Sequence, residues 1–347
     1  MAILHRTPKK IGVVGLGTIG RGISGHLRAK GFQVFVWNRT PRPVPNFVGS
    51  PAELADLCDY IQIFVSDDGA LLDTVQSLKD RLRPKHIVLA HSTVAPDSMR
   101  AAGEIVEASG ARFVDAPFTG SKLAAEKGEL VYYVGGNESA LRGARPILEA
   151  SSKKIVEIGA VAQATAAKIA TNMITAATVQ AAAEALALAQ RVNLPLDRFV
   201  EAMEVNASYS ATLAMKIPKI IQRDFGPHFS VKHMLKDMQI ANELGSSYYL
   251  DLAVTAAARD CLLEQMKQGH GDEDYSAVAR KYFGDAEPPQ QVEHDEAHRH
   301  PQAIVDTISP ATPTNISEQP ELQEKPTSSG DEPMPSDVSS ETTKQEG

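Results

Sequence analysis

A lysine and an asparagine four positions apart, Lys168 and Asn172, lie in a long apolar segment of the chain. Residues at positions i and i+4 share one face of a helix. A partly desolvated lysine has a pKa lowered toward neutrality, so it could protonate the alkoxide that forms when a hydride reduces a carbonyl, or act as the base in reverse. Asn172 could hold the substrate or the lysine in place. On spacing alone, an exposed lysine at a helix edge is the simpler interpretation.

A glycine-rich turn follows the first β-branched run, and its residues are Gly15, Leu16, Gly17, Thr18, Ile19 and Gly20. In such a turn Gly15 permits the tight bend, Gly17 lets the backbone approach a pyrophosphate, and Gly20 lets the helix pack closely on the strand. The N-terminus of the following helix adds N–H donors and a partial positive charge. Because the turn lies between a strand and a helix, it predicts a dinucleotide-binding site.

The second predicted strand is followed by Asn38-Arg39-Thr40, which begins 23 residues beyond Gly15. An NAD-dependent enzyme usually has Asp or Glu there to accept a hydrogen bond from the ribose 2′-hydroxyl, and that carboxylate would repel a 2′-phosphate. Here Asn38 is neutral, Arg39 offers a planar cation and Thr40 a hydroxyl, so all three could serve the 2′-phosphate. We therefore predict NADP(H) as cofactor, preferred over NAD(H).

Short β-branched runs alternate with helical patterns from residue 11 to about residue 157. This alternation predicts βαβ units and a mostly parallel sheet with right-handed crossovers. The predicted strands are Ile11–Gly15, Phe32–Trp37, Tyr60–Val65, His86–Ala90, Arg112–Asp115 and Leu130–Val134.

The pattern changes after Gly159, where one Ala-rich helix runs from Ala162 to about Val192. It is apolar nearly all round, so we expect it to be buried. Further predicted helices are Leu196–Val205, Tyr209–Ile221, Ser230–Leu244, Leu250–Gln268 and Asp274–Phe283. The predicted fold class is α/β: an N-terminal Rossmann-type doubly wound sheet plus an all-α C-terminal domain, joined by a long helix.

We divide the chain into an NADP-binding domain at 1–159, an all-α substrate and oligomerisation domain at 160–284, and a tail at 285–347. The tail has no Phe, Tyr or Trp and has nine prolines, with many Ser, Thr, Asp and Glu. Such a segment cannot bury enough apolar surface to offset the entropy of ordering it, so we predict disorder. His294, His298 and His300 could bind a metal adventitiously, but a solvated polar run is the simpler interpretation, and we predict no metal site.

Charge and composition exclude several classes of function. The net charge of −8 comes from the tail, which has 14 acidic and 3 basic residues, so the rest of the chain is mildly basic. That balance suits a phosphorylated cofactor and an acidic substrate, but the positive charge is too weak and too scattered for nucleic-acid binding.

The two cysteines, Cys58 and Cys261, do not have the spacing of a metal-binding or redox motif, and we expect reduced thiols in a cytoplasmic protein. There is no apolar run long enough for a transmembrane helix and no signal peptide, so no membrane association is expected.

Over residues 11–270 the chain resembles the β-hydroxyacid dehydrogenase family, which includes 3-hydroxyisobutyrate dehydrogenases and glyoxylate/succinic semialdehyde reductases. The resemblance rests on ordered motifs. These are the glycine loop Gly15–Gly20, the turn Ser92-Thr93-Val94-Ala95-Pro96, the loop Asp115-Ala116-Pro117-Phe118-Thr119-Gly120 continued by Gly128 and Leu130, the pair Lys168 and Asn172, and the pair Lys236-Asp237.

Two stretches are most similar to the glyoxylate/succinic semialdehyde reductases, namely Gly120–Lys122 and Phe229–Met238. The resemblance implies that Lys168 and Asn172 are catalytic, that Phe229 and Lys236 line the cofactor and substrate pocket, and that Asp237 orients Lys236. It further implies that Thr119 and Gly120 bind the substrate carboxylate and that Thr93 lies in a turn near the nicotinamide. We add Ser121 to the predicted substrate contacts. We add Val65, at the end of the third strand, to the predicted cofactor contacts.

Four positions depart from the family pattern. Thr119 replaces the usual Ser, Ser121 a second Gly, Phe118 a Val, and Ala90 an Asp that often precedes the Ser-Thr turn. None of these removes a catalytic group, but together they leave the substrate open.

The leading hypothesis is an NADPH-dependent reductase of a small aldehyde acid such as glyoxylate or succinic semialdehyde, with Lys168 as proton donor. A 3-hydroxyisobutyrate-type dehydrogenase is the alternative enzyme.

Two related enzyme classes fit less well. Imine reductases generally lack the lysine matched by Lys168, and 6-phosphogluconate dehydrogenases usually have His before the asparagine matched by Asn172, where this chain has Thr171. A non-catalytic nucleotide-binding scaffold is the alternative outside enzymes. Since family members are commonly dimers or tetramers, we expect a homodimer or homotetramer.

Overall fold

A computed structural model describes residues 9–283 of the chain, which belong to one compact unit. The predicted tail at 285–347, including His294, His298 and His300, lies outside the described residues. Among the residues that are described, no helix is both long and apolar enough to cross a membrane.

The first half of the described chain forms one eight-stranded sheet. Its strands are β1 (Lys10–Val14), β2 (Gln33–Trp37), β3 (Tyr60–Ile63), β4 (Ile87–Ala90), β5 (Arg112–Asp115), β6 (Phe118–Thr119), β7 (Leu130–Gly135) and β8 (Ser152–Gly159). The strand order is β2-β1-β3-β4-β5-β7-β6, and β8 pairs with β7. Strands β1 to β5 are parallel to one another, whereas β7 is antiparallel to β5 and β6. The mostly parallel sheet is therefore confirmed.

Helices cover both faces of this sheet, which explains why the side chains of its central strands are mostly apolar and buried. Helices pack on the two faces: α1 (Thr18–Ala29), α2 (Pro51–Leu57), α3 (Asp68–Leu78), α4 (Pro96–Glu107), α5 (Lys122–Lys127) and α6 (Glu138–Glu149). Two separate hydrophobic clusters fill the spaces between sheet and helices. The predicted doubly wound Rossmann-type domain is thereby confirmed.

The second half is helical, as predicted. It comprises α7 (Gln163–Arg191), α8 (Leu196–Glu204), α9 (Ala211–Gln222), α10 (Val231–Ser247), α11 (Ala253–Lys267) and α12 (Arg280–Phe283), with a 3₁₀ helix at Tyr275–Ala279 before α12. The segment that we predicted as one last helix is thus split between two helix types. A third hydrophobic cluster forms the core of these helices.

The long helix α7 is only partly buried within a single chain. One side packs against α9, α10 and α11, where Val179, Ala183 and Leu186 are almost inaccessible to solvent. The opposite side exposes Ile174 and Leu188, at 69% and 65% of their surface. Within one chain, neighbouring helices therefore bury one side of α7 only, and burial of the other side stays a prediction that depends on a second copy.

Candidate active site

The three glycines of the β1–α1 loop meet different steric demands. Gly15 has φ +93°, and a Cβ there would lie 2.1 Å from the backbone oxygen of Phe64. A Cβ on Gly20 would lie 2.0 Å from the oxygen of Gly15. Gly17, in contrast, has nothing within 4 Å of its would-be Cβ, so it faces open space. The loop is thus closed against the sheet at two glycines and open at the third.

The open glycine begins α1 without any competing anion. Gly17 is the N-cap, no side chain caps the helix, and its first turn contains no Asp or Glu. The backbone N–H groups and the positive end of the helix dipole are therefore available to an anionic ligand. Together with the glycine cradle, this arrangement fits the pyrophosphate of a dinucleotide.

The Asn38 side chain ties the end of β2 to the glycine loop. Its Oδ1 accepts a hydrogen bond from the Leu16 N–H at 2.9 Å, and its Nδ2 donates to the Thr40 carbonyl at 2.7 Å. Both ends of this carboxamide are therefore engaged within the chain, as is the Leu16 N–H. The side chains of Arg39 and Thr40 are exposed beside it.

The loops that follow β3 and β4 are linked by side-chain hydrogen bonds. The Val65 N–H donates to the Ser92 hydroxyl at 3.0 Å, and the Ala95 N–H donates to the Asp68 carboxylate at 2.9 Å. Because β1, β3 and β4 are parallel neighbours, these loops and the glycine loop lie at the same edge of the sheet. Val65 and Thr93 are thus brought together there.

A buried histidine, His91, follows β4 and contacts residues at the ends of β3 and β5. The sequence did not indicate this role. Its ring stacks on Phe64, with centroids 4.4 Å apart, and its Nδ1 lies 2.7 Å from the backbone oxygen of Ala116. Its Nε2 lies 3.1 Å from the Gln62 side chain. Burial lowers the pKa of His91 to about 4, so the ring is neutral at physiological pH.

The lowered pKa of His91 predicts that the free energy of unfolding decreases in acid. A histidine whose folded-state pKa is about 4 and whose ordinary pKa is 6.5 contributes stability in full above pH 6.5, and this contribution is lost as the pH falls through 4. We expect a loss on the order of 3 kcal/mol near pH 4. His91→Asn retains a donor for the Ala116 oxygen but does not titrate, so its unfolding free energy should depend less on pH between 6.5 and 4. Parallel urea titrations of both proteins check this, and identical pH dependences would contradict it.

A buried carboxylate, Asp237 on α10, accepts hydrogen bonds from two polar side chains of the helical domain. Its Oδ2 accepts from the Asn172 amide at 2.6 Å, and its Oδ1 accepts from the Lys236 ammonium at 2.8 Å. The same ammonium donates to the Thr93 backbone oxygen, which belongs to the loop after β4. Lys236 therefore links the helical domain to the sheet edge that carries the glycine loop.

Lys168 lies beside this cluster, one helical turn before Asn172 on the same face of α7. Its side chain is half-buried, and burial lowers its pKa, an effect that the nearby Asp237 carboxylate partly opposes. Among the described residues, none hydrogen bonds to the Lys168 ammonium. An ammonium in this environment loses its proton more readily than a solvated lysine, and it is free to contact a ligand.

The carboxylate of Asp115, at the end of β5, caps α7. Its Oδ2 accepts from the N–H groups of Ala162 and Thr165, both at 2.9 Å, and its Oδ1 accepts from the Thr165 hydroxyl at 2.7 Å. Burial raises the pKa of Asp115 to about 6 despite these donors, so the group is a carboxylate at pH 7. The capped turn lies directly before Lys168, and Asp115 thereby fixes where α7 starts relative to the sheet.

The predicted carboxylate-binding residues begin with Thr119, the last residue of β6, and continue into the loop after it. Gly120 has φ +139°, and a Cβ there would lie 2.7 Å from a Leu130 methyl, so only glycine fits. The Ser121 hydroxyl accepts from the Ala124 N–H and caps α5, while Thr119 is exposed. Within the described part of the chain, no hydrogen bond joins these three residues to Lys168 or Asn172.

Phe229 precedes α10 and lies against His233. The two rings stack with centroids 5.8 Å apart, and His233 lies one helical turn before Lys236 on the same face. The aromatic pair thus lies just before Lys236 and Asp237 along the chain, with His233 one helical turn away on α10.

Two family models together match most of the described residues. The model described as the NAD binding domain of 6-phosphogluconate dehydrogenase matches residues 10–159. The model described as NAD-binding of NADP-dependent 3-hydroxyisobutyrate dehydrogenase matches residues 162–282.

Individual proteins of known identity are similar over the same region. Glyoxylate/succinic semialdehyde reductase 1 of Arabidopsis thaliana is 30% identical over 279 residues, which are 78% of this chain and 96% of that protein. The cytokine-like nuclear factor N-PAC of Gallus gallus is 30% identical over 80% of this chain, but this region spans only 52% of N-PAC. The structure of Mycobacterium tuberculosis 3-hydroxyisobutyrate dehydrogenase with L-serine superposes with a TM-score of 0.73, at 25% identity, over 79% of this chain and 99% of that chain.

Proposed function

The chain belongs to the β-hydroxyacid dehydrogenase family of NAD(P)-dependent oxidoreductases, and we propose that it reduces a small aldehyde acid to the corresponding hydroxy acid with NADP(H) as cofactor. The observation that carries this proposal is the Lys168 ammonium. It is half-buried beside Asn172 and Asp237, and Lys236 connects that cluster to the sheet edge of the glycine loop.

The strand ends of the sheet would hold the cofactor. The backbone of Gly15–Gly20 would receive the pyrophosphate at the α1 N-terminus, and Val65 and Thr93 would contact the nicotinamide half. When bound, the nicotinamide supplies the hydride. Lys236 fixes the Thr93 backbone by donating to its oxygen.

Lys168 then acts as the general acid. Its Nζ donates a proton to the carbonyl oxygen as that oxygen gains negative charge, and in the oxidative direction it accepts the proton back. Asn172 is held by Asp237 and presents its side chain beside the lysine. Thr119, Gly120 and Ser121 bind the substrate carboxylate through hydroxyl and backbone N–H groups, because so small an acid must be held by charge-assisted hydrogen bonds.

The preference for NADP(H) rests on Arg39 and Thr40. Asn38 holds the loop through its oxygen and one amide N–H, so we assign the main 2′-phosphate contacts to the exposed guanidinium and hydroxyl that follow it, with the second Asn38 N–H as a further donor. Arg39→Ala should raise the KM for NADPH about 10- to 100-fold, the effect of losing a hydrogen bond between charged groups, and leave the KM for NADH unchanged. Arg42→Ala, in the same exposed segment, is the matched control. An unchanged KM for NADPH in the Arg39 variant would contradict the assignment.

The substrate is tested by comparing rates of NADPH oxidation with glyoxylate, succinic semialdehyde and methylmalonate semialdehyde at equal concentration. The likeness to an Arabidopsis glyoxylate/succinic semialdehyde reductase supports the first two. The likeness to a 3-hydroxyisobutyrate dehydrogenase favours a second candidate function, oxidation of a branched β-hydroxy acid. Fastest turnover of methylmalonate semialdehyde, with efficient oxidation of 3-hydroxyisobutyrate, would favour that second function.

We further propose a homodimer or homotetramer. The exposed side of α7, with Ile174 and Leu188, is apolar surface that a second copy could bury, and Leu250 and Val254 are further exposed apolar side chains of the helical domain. Light scattering on the purified protein checks the oligomeric state.

A further inference from the structure

A second buried carboxylate, Asp274, lies in the helical domain and has no part in the chemistry proposed above. Its side chain is inaccessible to solvent and is nevertheless fully paired. Oδ1 accepts from the Lys216 ammonium at 2.7 Å, and from the hydroxyl at 2.7 Å and the N–H at 3.1 Å of Ser276. Oδ2 accepts from the N–H groups of His228 at 2.9 Å and Phe229 at 3.3 Å.

The cation of this pair, Lys216 on α9, is equally buried, at 2% exposure. Its ammonium lies 4.4 Å from the centroid of the Tyr275 ring, so it is held between a carboxylate and an aromatic face. The neighbouring ammonium and the hydrogen-bond donors hold the pKa of Asp274 below its usual value although burial alone would raise it. Because desolvating two charges offsets most of their attraction, a buried ion pair is weak evidence of a role in stability. A role in fixing one local conformation explains it better.

The conformation that Asp274 fixes is that of the segment from Phe225 to Phe229. Besides the two N–H groups bound by Oδ2, the Asp274 N–H donates to the Phe225 oxygen at 2.8 Å, and the Tyr275 N–H donates to the Phe229 oxygen at 2.9 Å. The backbone of Phe229 is therefore held at both its donor and its acceptor. Its ring meets the Tyr275 ring edge-on at 6.3 Å and stacks on His233.

The held aromatic pair is next to the candidate active site. His233 lies on the same face of α10 as Lys236 and Asp237, one turn earlier, and its Nδ1 is 2.6 Å from the Ser230 hydroxyl. Burial lowers the pKa of His233, and the charge of Lys236 contributes to that effect. A displacement of Phe229 would therefore change the wall beside the Lys236 ammonium.

We propose that Asp274, paired with Lys216, is a positioning residue that holds the Phe229 ring against His233 and so shapes the wall of the substrate site beside Lys236. It acts through the Phe229 backbone and touches neither substrate nor cofactor. The inference rests on the proposed function, since it assigns Phe229 to the wall of that same site.

The test is a double-mutant cycle on kcat/KM for the best aldehyde acid with NADPH, using Asp274→Asn, Phe229→Ala and the double variant. Displacing a positioned group by a fraction of an ångström to 1 Å costs about 10- to 100-fold, and we expect Asp274→Asn to lower kcat/KM within that range. In the Phe229→Ala background it should cause no further loss, because the ring through which Asp274 acts is absent. Equal losses in both backgrounds would overturn the inference.

Stability is controlled separately, because Asp274→Asn leaves the Lys216 charge buried and unpaired. Asp274→Asn combined with Lys216→Met removes that charge, and it should show the same loss of kcat/KM and the same dependence on Phe229. Leu78→Ala, in the core under α3, is a destabilised control expected to retain wild-type kcat/KM when assayed below its Tm. A wild-type protein inactive on every acid would overturn the proposed function and this inference with it. An active wild type with additive losses would overturn this inference alone.

Discussion

Replacing Lys168 by alanine is expected to lower kcat about 10²- to 10⁴-fold, the usual contribution of general acid–base catalysis. The substitution removes the half-buried ammonium that would protonate the substrate oxygen, and it leaves the glycine loop unchanged. The Kd for NADPH, measured by fluorescence titration, should therefore stay within about twofold of the wild-type value.

The dependence on pH separates proton donation from binding. Reduction requires the protonated lysine, so wild-type kcat should fall as the pH rises through the lowered pKa of Lys168. Lys168→Arg keeps a positive charge but cannot release its proton near neutrality, so it should remain slow and lose this limb of the profile. Near-normal turnover by the alanine variant with NADPH still bound would refute Lys168 as the acid.

Replacing Asp115 by alanine is expected to lower the free energy of unfolding by about 3–5 kcal/mol. The substitution leaves three buried donors without an acceptor: the N–H groups of Ala162 and Thr165 and the Thr165 hydroxyl. Each unsatisfied buried group costs roughly 1–3 kcal/mol. Urea denaturation monitored by circular dichroism measures the loss.

Asp115→Asn is the matched control. Its carboxamide oxygen can accept from the two N–H groups, and its amide can donate to the Thr165 hydroxyl, so most of the stability should be retained. Because the capped turn sets the start of α7, we also expect the alanine variant to lose kcat/KM through misplacement of Lys168. An alanine variant as stable as the asparagine variant would contradict the capping role.

The fold could be predicted from local patterns because the central strands are buried on both faces. Short, mostly apolar runs that contain Val or Ile mark β1 to β5, and the long Ala-rich segment marks α7. The two missed strands lack that signal: β6 has only two residues, and β8 is a lysine-containing edge strand with most side chains exposed. The exposed side of α7 was missed for a different reason, since composition alone does not show which faces find a partner within the chain.

Within the candidate site, sequence reasoning was most informative where residues are close in the chain. The distinct demands on Gly15, Gly17 and Gly20 follow from the strand–turn–helix context. The roles of His91 and Asp115 depend on partners 25 or more positions away, and no periodicity indicates such pairs. Asn38 illustrates the limit, since its residue type suggested a phosphate contact but gave no sign that its carboxamide also links Leu16 to Thr40.

The most direct test of hydride transfer to an aldehyde acid uses NADPH deuterated at C4 of the nicotinamide, in the 4R and 4S forms, with glyoxylate and succinic semialdehyde as acceptors. Mass spectrometry of the products should find one deuterium on the carbinol carbon with one of the two labelled forms and none with the other, and Lys168→Ala should slow its appearance about 10²- to 10⁴-fold. If neither form labelled any product, or if NADPH were not consumed, the proposed reductase activity would be contradicted.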